Sequence, residues 1–192
     1  MASIISKYFN WLQKDAPAGE VERYPEIDDN GETSVKGIYI IGDLTGIPLL
    51  KLAAESGKKI INTILSEQNF QKLKSSKKDD EIYDLVIIGA GPAGIAAGIE
   101  AANQKLKFTI VESAQKFNTI VNFPKGKPIF AEPAVYDQQS ALKINDGTKE
   151  SLLDELQAQL LTLYNFLSLL LTQNDLPYYQ SCLPSHFLRL VD

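Results

Sequence analysis

Asp84-Leu-Val-Ile-Ile-Gly-Ala-Gly-Pro-Ala-Gly-Ile-Ala-Ala-Gly-Ile-Glu-Ala-Ala-Asn103 joins an uncharged apolar run to a glycine-rich turn and then to a run of small residues. The apolar run does not alternate with polar residues, which suits a strand covered on both faces. Gly89, Gly91 and Gly94 fit G-x-G-x-x-G, and Pro92 suits the first turn of a helix. Lys107-Phe-Thr-Ile-Val-Glu112 predicts a second strand that ends on an acid about 20 residues beyond the glycines. Each residue has a mechanical reason. Gly89 permits the tight turn, Gly91 lets the backbone approach a pyrophosphate, and Gly94 lets the helix lie close to the strand. The amides around Pro92 and Ala93, with the helix dipole, favour a diphosphate anion. Glu112 can accept hydrogen bonds from ribose hydroxyls and would repel a 2′-phosphate.

Working outward, Thr33-Ser-Val-Lys-Gly-Ile-Tyr-Ile-Ile-Gly-Asp-Leu-Thr-Gly-Ile-Pro-Leu-Leu-Lys-Leu52 carries a second apolar run, Ile38–Ile41, bounded by Gly37 and Gly42. It predicts another buried parallel strand. A helix should follow with Pro48 at its first position, because Leu49, Leu52, Ala53, Ser56, Ile60, Ile61 and Ile64 fall on one face. Gly57 on that stripe points to close approach of a backbone or ligand, since a mid-helix glycine costs about 1 kcal/mol relative to alanine.

The fold class expected is therefore α/β: a Rossmann-like dinucleotide-binding domain with a parallel sheet, plus a C-terminal helical tail. Residues 1–32 read as an N-terminal amphipathic helix and loop, 33–65 as a strand-helix part of the domain, and 66–81 as a polar linker. Residues 82–150 hold the glycine fingerprint, and 151–192 form the tail. Leu156 to Asn174 lacks charge but is too interrupted by polar residues for a membrane span, so a buried or partner-facing helix is expected.

Composition narrows the function classes. Lys and Arg number 19 against 24 Asp and Glu, a net charge of −5, with no basic stripe. That argues against nucleic-acid binding and anionic membranes. Cys182 is the one cysteine, so no disulfide or cysteine-held metal can form within the chain, and a reducing, cytoplasmic setting is expected. Cys182 and the lone His186 read as packing or surface residues.

The glycine fingerprint does not distinguish FAD from NAD. Thr33 to Asp43 resembles the second flavin motif of two-dinucleotide-binding flavoproteins, a Thr followed by a hydrophobic strand and Gly-Asp. The resemblance implies that Asp43 takes a ribitol hydroxyl of FAD, and that Gly42 and the Gly46-Ile47-Pro48 turn lie beside the flavin. Taken by itself, Asp43 has a helix cap as its other reading. Phe117-Asn-Thr-Ile-Val-Asn-Phe-Pro-Lys-Gly-Lys-Pro-Ile-Phe130 resembles a loop of thioredoxin-reductase-like enzymes, in particular the bacillithiol-disulfide-reductase-like branch, with Asn122 near the ring. A plain proline-bounded loop is the other reading.

The resemblance as a whole is to FAD-dependent pyridine nucleotide-disulfide oxidoreductases, in permuted order because Asp43 precedes Gly89. It implies electron transfer from NAD(P)H through FAD to a disulfide or other acceptor, with flavin-centred chemistry and no catalytic side chain. No second glycine-rich unit for NAD(P)H and no Cys-x-x-Cys pair is present, so a truncated member is expected, acting as a homo-oligomer or with a partner chain that carries a nucleotide-binding domain. A non-catalytic FAD-binding subunit and a plain NAD-binding domain are the competing readings.

Overall fold

The computed structural model describes residues 24–76 and 82–172, with side chains as far as Leu161. The N-terminal helix expected within residues 1–32 falls largely outside them, as do Cys182 and His186.

A 3₁₀ turn, Gly42–Thr45, leads into α1, Leu50–Ser66, and α2, Gln68–Ser76. Then come β1, Leu85–Ile88; α3, Pro92–Asn103; β2, Phe108–Val111; and the one-turn α4, Asn118–Val121. Two-residue strands β3, Pro128–Ile129, and β4, Gly147–Thr148, precede α5, Lys149–Thr172.

The quoted stretch forms the expected strand, glycine turn and helix, but the strand is covered on one face only, with Val86 and Ile88 exposed. β1 and β2 pair in parallel, Leu85 opposite Phe108 and Ile88 opposite Val111, with α3 as the crossover. β3 and β4 form a separate antiparallel pair. The core lies between this βαβ unit and α1. Ile60, Ile61 and Ile64 from α1 join Ile95, Ala96 and Ile99 from α3, and Leu152, Leu156 and Leu160 from α5 belong to the same cluster. The start of the uncharged stretch is thus a buried helix face. No described helix is long and apolar enough to cross a membrane.

Small residues set the helix spacing. A Cβ built on Gly57 would stand 2.2 Å from the Ala93 carbonyl oxygen and 2.8 Å from the Ala97 nitrogen. The close approach inferred for Gly57 is therefore backbone to backbone, α1 against α3.

Two expectations are corrected, and the polar segment gains a helix. Among the described residues Ile38–Ile41 joins no parallel sheet: Tyr39 forms an isolated antiparallel bridge to Glu32, and the Ile40 N–H bonds to the Gly31 carbonyl. The run folds back on its own N-terminal side, where these local bonds take up its backbone groups, and Ile38 is 51% exposed. Pro48 does not open α1, which begins at Leu50 with Leu49 as its N-cap. The polar segment 66–81 carries a helix over Gln68–Ser76, while residues 77–81 lie outside the described residues. Gln, Lys and Leu are strong helix formers, so this segment needs little burial to coil once α1 precedes it.

Candidate functional site

The glycine turn is fixed from three sides. Gly89 sits at φ 100, a conformation side chains rarely adopt, and its N–H donates to Val111 O at 2.8 Å. Ala90 is fully buried; its N–H donates to Glu112 Oε2 at 2.8 Å and its carbonyl accepts the Phe117 N–H at 2.9 Å. Phe117 itself holds φ 54, costly for a bulky residue at about 1–2 kcal/mol, and is kept there by burial and that bond. Gly91 is the N-cap of α3 and Pro92 opens the helix. Pro92 has no N–H, so Ala93 and Gly94 present the first helical amides that lack an intrahelical acceptor.

The three glycines separate by cause. Gly89 is required by its φ. Gly94 is required by packing, because a Cβ there would lie 1.9 Å from the Gly89 carbonyl oxygen. Gly91 is required by neither: its φ of −76 and ψ of −177 suit any residue, and a Cβ there would meet nothing within 4 Å.

The Gly-Asp segment meets this turn from the far side of the linker. A Cβ on Gly42, at φ 71, would stand 2.9 Å from the Cβ of Ala93 in the first turn of α3. The Gly42 N–H donates to Ser56 Oγ at 2.9 Å, which anchors the turn to α1. Asp43, the next residue, is thereby carried to the N-terminal end of α3. Burial pushes its carboxyl above the usual aspartate range. Asp43 caps no helix with its side chain: the Gly46 N–H at 2.9 Å bonds its backbone carbonyl, and α1 begins seven residues further on. Ile47 is half exposed on the same turn.

Glu112 and Asn122 are placed differently from each other. The Glu112 carboxylate takes the Ala90 N–H and, at 2.9 Å, the Ala114 N–H. Those bonds hold its carboxyl below the usual range. In this structure Glu112 braces the glycine turn, with lone pairs left over for a further donor. Asn122 ends α4, exposed, with its Nδ2 donating to Asn118 Oδ1 at 3.2 Å within its own segment. The Phe117 N–H bond to Ala90 O ties the start of the segment that carries Asn122 to the glycine turn.

Glu112 yields a pH prediction. A carboxylate whose folded pKa lies below the ordinary glutamate value of 4.5 contributes stability in full above that value and loses it as pH falls through the folded pKa. Glu112→Gln should therefore lower the thermal midpoint at neutral pH, with the gap closing below about pH 4. The effect is small because the carboxylate is largely hydrated. A gap independent of pH would show that the negative charge is not what braces the turn.

Sequence reasoning missed what α1 does on its polar face. Lys51 Nζ donates to Pro133 O at 3.0 Å, Glu55 accepts the Ser140 N–H, and Lys58 Nζ donates to Gln139 O at 2.9 Å. Three side chains on one face strap the loop that runs from Ala131 to Asp146. Their only sequence signal was the charge at helical spacing.

A parallel strand pair, a positive-φ glycine turn and a helix start without a side-chain cap define the class: a βαβ unit with a glycine-rich turn between its first strand and its helix. Residues 86–178 match the family described as pyridine nucleotide-disulphide oxidoreductase. Among curated proteins, the chain resembles the thioredoxin reductase of Mycoplasma pneumoniae, 44% identical over 66 residues that make up 30% of this chain and 21% of that protein. The thioredoxin reductases of Mycoplasma genitalium and Ureaplasma parvum are 45% identical over 58 residues and 49% over 49. These matches cover 27% and 26% of this chain, and 18% and 13% of those two proteins. Residues 86–178 thus resemble the pyridine nucleotide-disulphide oxidoreductases over just under half of the chain, and the matches to the three thioredoxin reductases span about a fifth or less of the length of those proteins. No solved structure matches.

Proposed function

We propose that this chain is the FAD-binding part of a thioredoxin-reductase-like oxidoreductase, Rossmann-like and permuted so that the Gly-Asp segment precedes the glycine fingerprint. One observation carries the reading. Gly91 is a glycine that neither its backbone angles nor its neighbours require, beside free helical amides, and open space there fits a group that approaches the backbone itself.

Gly89, Gly91, Pro92, Ala93 and Gly94 would hold the pyrophosphate of FAD, with Glu112 at the adenosine ribose. Asp43, a carboxylate pushed toward protonation by burial, would gain from hydroxyl donors such as those of a ribitol chain. Gly42 and Ile47 would lie beside it, and Asn122 near the flavin ring. When bound, FAD supplies two-electron chemistry, drawing on NAD(P)H and delivering to a disulfide or another acceptor. The side chains named here bind and orient; none exchanges a proton with an acceptor.

A partner supplying the nucleotide-binding unit is favoured by the open face of the sheet. Val86 is 59%, Ile88 87% and Val111 52% exposed on the side away from α3, a face that gains from cover. The purified chain should then carry an oxidised-flavin spectrum that neither NADH nor NADPH bleaches anaerobically until a nucleotide-binding partner is added. A chain that cannot be reconstituted with FAD would overturn the proposal.

Gly91→Ala and Asp43→Ala sharpen the test. Gly91→Ala should cost no more than about 1 kcal/mol of stability, the loss of glycine at an N-cap, yet weaken FAD at least tenfold. Asp43→Ala should weaken FAD retention with the fold intact. Flavin titration beside thermal melting separates the effects, and unchanged affinity in both variants would sink the assignment.

A further inference from the structure

The loop strapped to α1 borders an open cavity of about 310 Å³, lined by Lys51, Ala131, Glu132, Ala134, Asn145 and Asp146 among others. Lys51 is only 8% exposed, and its ammonium spends one of three N–H groups, on Pro133 O. No carboxylate stands within ion-pair distance of it; among the described residues the only such pair is Lys36 with Glu32. Opposite charges therefore face the same cavity without joining.

The loop's own hydrogen bonds keep them apart. Asp146 Oδ1 accepts the Ala131 N–H at 2.6 Å, and Glu132 Oε2 accepts the Ala134 N–H at 2.9 Å. Collapse of either carboxylate onto Lys51 would strip a backbone amide of its acceptor. The ammonium has one neutral protein acceptor, so an anionic group in the cavity would stabilise it. A plain anion would in turn be repelled by the two carboxylates of residues lining the same cavity, Glu132 and Asp146. The ligand that satisfies both sides carries both charges.

We infer that this cavity is a second ligand site, for a small zwitterion of amino-acid type, with its carboxylate on Lys51 Nζ and its ammonium toward Glu132 and Asp146. Its volume lies at the low end for small-molecule pockets, roughly 300–1,000 Å³, which limits the occupant to a compact molecule. The inference does not rest on flavin binding: it uses Lys51 and the 131–146 loop, none of which is assigned to FAD.

Glycine, the bare zwitterion of the class, is the probe, titrated into the full ¹⁵N-labelled chain with acetate and methylammonium as half-ligands. Glycine should shift the amides of Lys51, Ala131 and Asn145 saturably, in the millimolar range, with each half-ligand at least tenfold weaker. Lys51→Gln and Asp146→Asn should each weaken glycine at least tenfold; Asp146→Asn keeps the Oδ1 acceptor for Ala131, so the loop is retained. The absence of saturable shifts up to about 100 mM overturns the inference, because even a 1 mM site would then be filled. Acetate binding as tightly as glycine, or glycine affinity unchanged in both variants, overturns it too. Running the titration with FAD-free and FAD-loaded protein keeps it apart from the flavin proposal, since the shifts are expected in either state.

Discussion

Gly94→Ala should lower the thermal midpoint by roughly 6–12 °C and abolish FAD retention. The added Cβ would lie 1.9 Å from the Gly89 carbonyl oxygen and 3.1 Å from its carbon, both backbone atoms. Gly89 cannot swing that carbonyl away cheaply, because φ 100 and its N–H bond to Val111 O fix the peptide. Overpacking costs about 1–3 kcal/mol where side chains can yield, and more against backbone. Alanine returns about 1 kcal/mol in helix propensity. The net loss is about 3 kcal/mol or more, and about 2–4 °C per kcal/mol for a chain of this size gives the stated shift. Gly98→Ala is the control on the same helix. Its Cβ would meet Ile110 Cδ1 at 2.7 Å and Phe108 Cε2 at 3.2 Å, the far ends of movable side chains, so the propensity gain offsets most of the cost. Differential scanning fluorimetry of both variants, with flavin absorbance, checks the pair. Equal midpoints would mean that the Gly89–Gly94 contact does not govern the turn.

How far the sequence spoke for the fold depends on the range of the forces involved. The β1, α3 and β2 assignment was legible because each signal is local: an unbroken apolar run, glycines at fixed offsets, and Pro92 at a helix start. Ile38–Ile41 carries the same apolar signal and still forms no parallel strand. Such a run records a wish for burial, while a strand also needs an edge to bond, and that edge is set by distant residues. Gln68–Ser76 coils within the expected linker, since helix propensity acts without an apolar stripe. At the site, the roles of Gly89 and Gly94 could be read beforehand and the geometry bears them out. The contact of Gly42 with Ala93 and the strapping of the 131–146 loop by Lys51, Glu55 and Lys58 could not. They join positions about 50 to 80 residues apart, and one sequence holds no periodicity at that range.

Gly57→Ala should destabilise the chain by about 2 kcal/mol or more, although the substitution improves helix propensity by about 1 kcal/mol. The reason lies in what α1 and α3 join. α1 belongs to the segment before residues 77–81 and α3 to the segment after them, so their contact is the main apolar bond between the Gly-Asp half and the fingerprint half. A Cβ on Gly57 would overlap Ala93 O at 2.2 Å and crowd Ala97 N at 2.8 Å, and neither atom can rotate away. The helices must separate, which lifts Ile60, Ile61 and Ile64 off α3 and carries Gly42 away from Ala93. Two readouts therefore move together: the thermal midpoint falls by roughly 4–8 °C, and FAD affinity falls although residue 57 touches no expected cofactor group. Gly57→Ser should behave alike, since it adds the same Cβ. A stability loss with full FAD affinity would mean that Asp43 reaches its position without the α1–α3 contact, and the two halves would then meet through the turn alone.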